Sequence, residues 1–197
     1  NPFVQKRVAK VGAGADWPLA KHPHSALAEA LGQGVPALAV VTFGANDAAR
    51  SNDAPERIAE RFEQDLLGIV RHLEDAGIVA IVSNEMRHGD QPGRHACPGD
   101  KKGVSDWQVA VAQNANSARA MEVACREALL SIDLRHALDG STHWGLGPDS
   151  VHLSSHTKGA GVLTEEGFDC GYNVRNFVTL LALKRAVETI APLYDSS

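Results

Sequence analysis

The chain has 197 residues, 44% hydrophobic and 22% charged, a balance that fits one globular domain with a single sizeable core. Its net charge of −5 comes without any basic stripe, which argues against a nucleic-acid surface. No apolar run approaches the ~20 residues needed to cross a bilayer, so no membrane span is expected.

The apolar pattern alternates strand and helix along the whole chain, which predicts an α/β fold with a parallel sheet. Residues 7–11 read as a strand running into the glycine turn Gly12-Ala13-Gly14. Ser25 is placed to cap a short helix over 26–31, stopped by Gly32 and Gly34. Residues 36–43 form the strongest strand pattern.

The clearest helix follows. Asp53 and Glu56 have capping-box spacing, Pro55 falls in the first turn, and Gly77 ends the segment. Ile58, Phe62, Leu66, Ile69 and Leu73 recur at steps of four and three and so share one face. Residues 78–82 are continuously apolar, as in a parallel strand buried on both sides.

From 87 to 103 the composition turns to His, Gly, Pro and charge, a long loop of the kind that carries specificity on α/β scaffolds. A helix is predicted from about Ser105, with Trp107, Val111, Ala115, Ala118, Met121 and Cys125 on its apolar stripe. Residues 129–134 are the last strand, 139–169 are loop-rich, and 172–191 form a closing helix with Leu180, Leu183, Val187 and Ile190 inward. Cys97, Cys125 and Cys170, far apart in the chain, read as buried reduced thiols.

In open parallel sheets, ligands bind at the carboxyl ends of the strands. Three turns with glycine or asparagine fall there: Gly12 to Asp16, Gly44-Ala45-Asn46-Asp47, and Ser83-Asn84. Glycine lets backbone N–H groups approach a substrate oxygen closely, and Asn46 adds a side-chain amide. Donors of these two kinds build an oxyanion hole. Later, Asp149-Ser150-Val151-His152 supplies a carboxylate three residues before an imidazole. That spacing sets the two side by side on one helical turn, where the carboxylate orients the ring and leaves its other nitrogen free as a base.

The plainer readings stand beside these. Gly-x-Asn-Asp also fits a turn in which Asn46 and Asp47 satisfy local backbone groups. The chain holds a second Asp-x-x-His, Asp133 to His136, which falls at the end of a strand and reads as a structural or surface pair. Ser155-His156-Thr157-Lys158 matches Ser-x-x-Lys without its companion signatures. Ser83 ends a strand but lacks a nucleophile elbow, and no Gly-x-Ser-x-Gly occurs. Gly12 and Gly14 lack the third glycine of a dinucleotide fingerprint, position 17 being Trp17. His22, His24, His88, His95 and Cys97 have no recognised zinc spacing.

In order and spacing these strings resemble the SGNH (GDSL-type) hydrolases, esterases whose motif blocks contribute Ser, Gly, Asn and His. Gly44 to Asp47 resembles the family's Gly-x-Asn-Asp block, and Asp149 to Ser154 its terminal Asp-x-x-His block. Residues 11–16 are similar, more loosely, to its second block. The resemblance implies a three-layer α/β/α domain with a flavodoxin-like parallel sheet spanning 1–197. It implies a serine ester hydrolase in which His152 is the base, Asp149 its orienter, and Asn46 and Gly14 the oxyanion donors. No metal or organic cofactor is implied. The substrate would be a small-molecule or carbohydrate ester with a short acyl or acetyl group.

The family's Gly-Asp-Ser block has no counterpart in this sequence. It would lie on a first strand at the middle of the sheet, ahead of the glycine turn, so an N-terminal segment upstream of Asn1 is expected to complete the domain. A signal preceding Asn1 would make the protein secreted or periplasmic. The competing expectation is a non-catalytic binding module on the same scaffold, without its serine.

Overall fold

The computed structural model describes residues 10, 12–21, 25–88 and 106–194, with the side chains of 106, 107, 193 and 194 excepted. The expected strand over 7–11, Lys10 excepted, and most of the 87–103 loop, including His95 and Cys97, lie outside the described residues, as do His22, His24 and the Trp107 side chain. The chain forms a mixed α/β structure around a three-stranded parallel sheet in the order β1-β2-β3. The strands are β1 (Leu38–Thr42), β2 (Val79–Ser83) and β3 (Leu130–Ile132). The helices are α1 (Ala26–Leu31), α2 (Ala45–Arg50), α3 (Pro55–Asp75), α4 (Asp106–Arg126), α5 (Leu134–Ala137) and α6 (Gly171–Tyr194).

Alternation along the strands sorts their side chains into two clusters. Val41, Ala80 and Val82 pack against Phe62, Leu66, Ile69 and Val70 of α3 and Ala120 and Val123 of α4. Ile81, Ile132 and Leu38 point the other way, towards Leu134, Leu138, Val174 and Ala186. The expected α3 stripe is the buried one, with Phe62 and Leu66 each 1% exposed. Burial of such a side chain contributes roughly 2–3 kcal/mol.

Several local expectations are met and others corrected. Ser25 caps α1, its Oγ accepting the Ala28 N–H at 3.1 Å. The Asp53–Glu56 capping box does not form. Ala54 occupies the cap position of α3, and the Asp53 carboxylate instead accepts from the Ser51 hydroxyl and pairs with Arg61 at 2.7 Å. The α4 stripe is rotated from the expected one: Ala118 and Cys125 are exposed, whereas Ala112, Gln113, Asn116, Ser117, Ala120 and Ala124 are buried. Polar residues can take the inner face because they bond to strand-end turns, as described below.

On α6 the inner line is Val174, Val178, Ala182 and Ala186, at steps of four. Leu180 and Val187 are more than half exposed. Small residues on that line let the helix lie close to β3, which turns the two larger side chains outward. Cys125 and Cys170 are free thiols, the first exposed and the second half-buried. Among the described residues no helix is long and apolar enough to cross a membrane.

Candidate active site

Register fixes where the site residues meet. Thr42 is opposite Ser83, and Ser83 opposite Ile132, so all three strands finish at one rim. The segments that follow, Gly44 to Asp47, Asn84 to Met86, and Asp133, are therefore neighbours. Each is held by an amide or hydroxyl side chain. Asn116 donates to the Gly44 carbonyl at 2.8 Å. Gln113 donates to the Met86 carbonyl at 2.8 Å, and the Ser117 hydroxyl to the Glu85 carbonyl at 3.2 Å. Asn84 donates to Asp133 at 2.8 Å and accepts the Arg135 N–H at 3.1 Å.

Gly44-Ala45-Asn46-Asp47 is not a simple turn, because it starts helix α2. Gly44 caps the helix at φ +131°, a conformation L side chains rarely adopt. Asn46 falls in the first turn, half-buried, and its side-chain amide makes no hydrogen bond among the described residues. Asp47 reaches back to the glycine turn, where its Oδ1 accepts the Ala15 N–H at 2.9 Å. A Cβ on Gly14 would stand 2.7 Å from that oxygen, so only glycine permits the approach. Gly14 and Asn46 are thus brought together through their chain neighbours.

Asp149 and His152 are also brought together, though not on a helix. Ser150 takes a left-handed φ of +59°. Asp149 Oδ1 accepts the Val151 and His152 N–H groups, each at 3.0 Å, while Oδ2 meets His152 Nδ1 at 2.7 Å. The His152 N–H and its ring hold the Asp149 carboxyl down at about 2, against a small opposing effect of burial. The imidazole is 70% exposed, leaving Nε2 open to solvent.

This loop is anchored at both ends. Leu146 pairs with Leu153 in an antiparallel bridge, and Gly147 N–H donates to the His152 carbonyl at 2.8 Å. The Ser154 N–H and hydroxyl both donate to the Gly145 carbonyl, at 2.7 and 3.0 Å. Gly145 and Gly171 touch so closely that a Cβ on the first would lie 2.8 Å from the Cα of the second. Among the described residues no hydrogen bond joins the Asp149–His152 pair to Gly14 or Asn46.

A cleft of about 270 Å³ lies beside Gly14, lined also by Asp16, Asp47, Arg61, Phe62 and Asp65. Neither Asn46 nor His152 lines it. Burial raises the Asp47 and Asp65 carboxyls above the usual range, and Asp16 adds to both. Glu85, beside Gly44, is pushed up to about 7 by burial and by the Asp47 charge, with Arg175 opposing. No cluster of three or more His, Cys, Asp or Glu suited to a metal occurs among the described residues.

The other Asp-x-x-His has a structural part: Asp133 caps α5 by accepting the His136 N–H at 3.0 Å. The serines near the rim are committed. Ser83 is 5% exposed and donates to the Asn84 carbonyl at 3.0 Å, and Ser154 is held as described. Glu85 and the Gln113, Asn116 and Ser117 stripe escape a reading by motif. The signal of the stripe is a polar run at i, i+3 and i+4 on a helix face that elsewhere carries Ala110, Ala112, Ala120, Val123 and Ala124. A scan against protein-family models finds no match to this chain, and neither does a search of the curated proteins.

Proposed function

We propose that this chain is an ester hydrolase domain of the SGNH type, with the three-layer α/β/α architecture of that family, acting on short-chain acyl or acetyl esters of small molecules or carbohydrates. One observation carries the reading: an exposed imidazole held through Nδ1 at 2.7 Å by an ionised carboxylate. In a hydrolase, His152 takes the proton of an attacking serine hydroxyl and returns it to the leaving alcohol. Asp149 fixes the tautomer and stabilises the imidazolium. The Gly14 N–H and the Asn46 amide receive the oxyanion; neither is engaged by an internal acceptor among the described residues.

In this reading the serine belongs to a strand upstream of Asn1 that pairs with the outer edge of β1, which has no partner among the described strands. One observation favours the alternative, a binding module without a nucleophile: the rim hydroxyls of Ser83 and Ser154 are both engaged internally. Intact mass and N-terminal sequencing of the natively folded protein, followed by p-nitrophenyl acetate hydrolysis, separate the two. An upstream Gly-Asp-Ser strand with turnover supports the enzyme. A stable fold of these residues alone, without turnover, supports the module.

A further inference from the structure

Three side chains converge on Gly44. A Cβ built there would lie 3.4 Å from Cβ of Asn116, 3.5 Å from Cγ of Glu85 and 3.5 Å from Cζ of Phe62. Gly44 starts α2, so a displacement at this point moves the turn that carries Asn46. Phe62 is locked in the core and Asn116 is bonded to the Gly44 carbonyl. Glu85 differs. Its backbone is clamped by Ser117, yet its carboxyl makes no hydrogen bond among the described residues.

Among the described residues, the charged groups acting on that carboxyl are Asp47 of α2 and Arg175 of α6; α3 offers Phe62, and α4 offers Asn116 and Ser117, none of which titrates. Asp47 is itself poorly compensated. Its Oδ1 has the Ala15 N–H, but its Oδ2 is buried without a partner.

We propose that Glu85 is a positioning residue for the Asn46 amide: neutral, it lets the Gly44–Asp47 turn rest against the end of β2, and ionised, it repels Asp47 and swings that amide away from the rim. The proposal rests on the reading of Asn46 as an oxyanion donor. Two neighbouring carboxylates, one of them with a buried oxygen that lacks a partner among the described residues, resist simultaneous ionisation. The repulsion is relieved by moving α2, a helix of six residues, against the Asn116–Gly44 and Ala15–Asp47 hydrogen bonds.

The test is Glu85→Gln, which keeps shape and removes the proton. The Asn46 side-chain amide is followed by NMR from about pH 5.5 to 8.5, across the range in which such a carboxyl titrates. One titration step is expected in the wild type, absent in Glu85→Gln and retained in His152→Ala. In turnover of p-nitrophenyl acetate, the ratio of Glu85→Gln to wild-type kcat/KM is expected to rise about tenfold from about pH 6 to pH 8. Asp47→Asn provides a second arm should Glu85→Gln not fold: removal of the neighbouring charge shifts the Asn46 step to lower pH.

An Asn46 signal that is flat in the wild type, or that titrates unchanged in Glu85→Gln, overturns the proposal. So does a step lost only in His152→Ala, which belongs to the imidazole. If no ester is turned over, the hydrolase reading fails while the NMR titration still decides the coupling of Glu85 to Asn46.

Discussion

Asn116 and Gly44 are 72 residues apart in sequence, and the side-chain amide of one donates to the carbonyl of the other at 2.8 Å in a fully buried position. The carbonyl belongs to the residue that ends the β1 segment and begins α2, so this bond sets the angle between strand and helix. Asn116→Ala removes this donor and leaves the carbonyl with the Ala48 N–H alone, at 3.1 Å. The loss of one buried hydrogen bond is expected to destabilise the fold by about 0.5–1.5 kcal/mol, read as a lower urea midpoint with an unchanged m-value.

His152→Ala separates chemistry from folding. The ring is 70% exposed and, among the described residues, its side chain bonds to Asp149 alone, so stability is expected to stay within about 0.5 kcal/mol of wild type. On the proposed reading, ester turnover falls by at least about a thousandfold, as for the base of serine hydrolases. Unchanged turnover in a pure preparation removes His152 from the mechanism.

Asp149 gives the loop a sensitivity to acid with a definite sign. Its folded carboxyl is depressed to about 2 from an ordinary 3.8. The ionised form therefore contributes to stability above the ordinary value, and that contribution is lost as pH falls towards 2. The side chain is 47% exposed, so solvent screening keeps the effect local. Protection of the Val151 and His152 amides from hydrogen exchange, taken relative to the intrinsic rate at each pH, should fall on acidification in the wild type. In Asp149→Asn, exchange should lack that carboxylate-linked transition.

Glu85 gives the opposite sign. Its folded carboxyl is raised to about 7 from 4.5, so the native state binds the proton more tightly than the unfolded chain. Its contribution to stability is present below the ordinary value and lost as pH climbs through 7. A shift of this size corresponds to about 3 kcal/mol. Glu85→Gln should therefore gain on the wild type in chemical denaturation above neutral pH, with little difference near pH 4.5.

Periodicity made much of this fold legible. The α3 stripe, the Ser25 cap and the three described strands follow from local pattern. The inner face of α4 did not, because hydrophobic spacing cannot announce that Gln113, Asn116 and Ser117 will find carbonyls on two distant turns. Nor could it orient α6, where closeness to β3 favours Ala182 and Ala186 over Leu180. The motif strings led to Gly14, Asn46, Asp149 and His152 by resemblance. Glu85 stayed hidden because one carboxyl after a strand looks like any solvated loop residue until Gly44 and Asp47 are placed around it.

The contact between Gly145 and Gly171 has a consequence for engineering. With side chains excluded on both sides, the two backbones clasp the base of the 147–152 excursion to the start of α6, while the Leu146–Leu153 bridge and the Ser154–Gly145 bond close its ends. That stretch can be treated as an exchangeable cassette. Libraries that vary its length and chemistry, with the two glycines and the Leu146–Leu153 pair kept, should retarget the imidazole-bearing loop without rebuilding the scaffold beneath it.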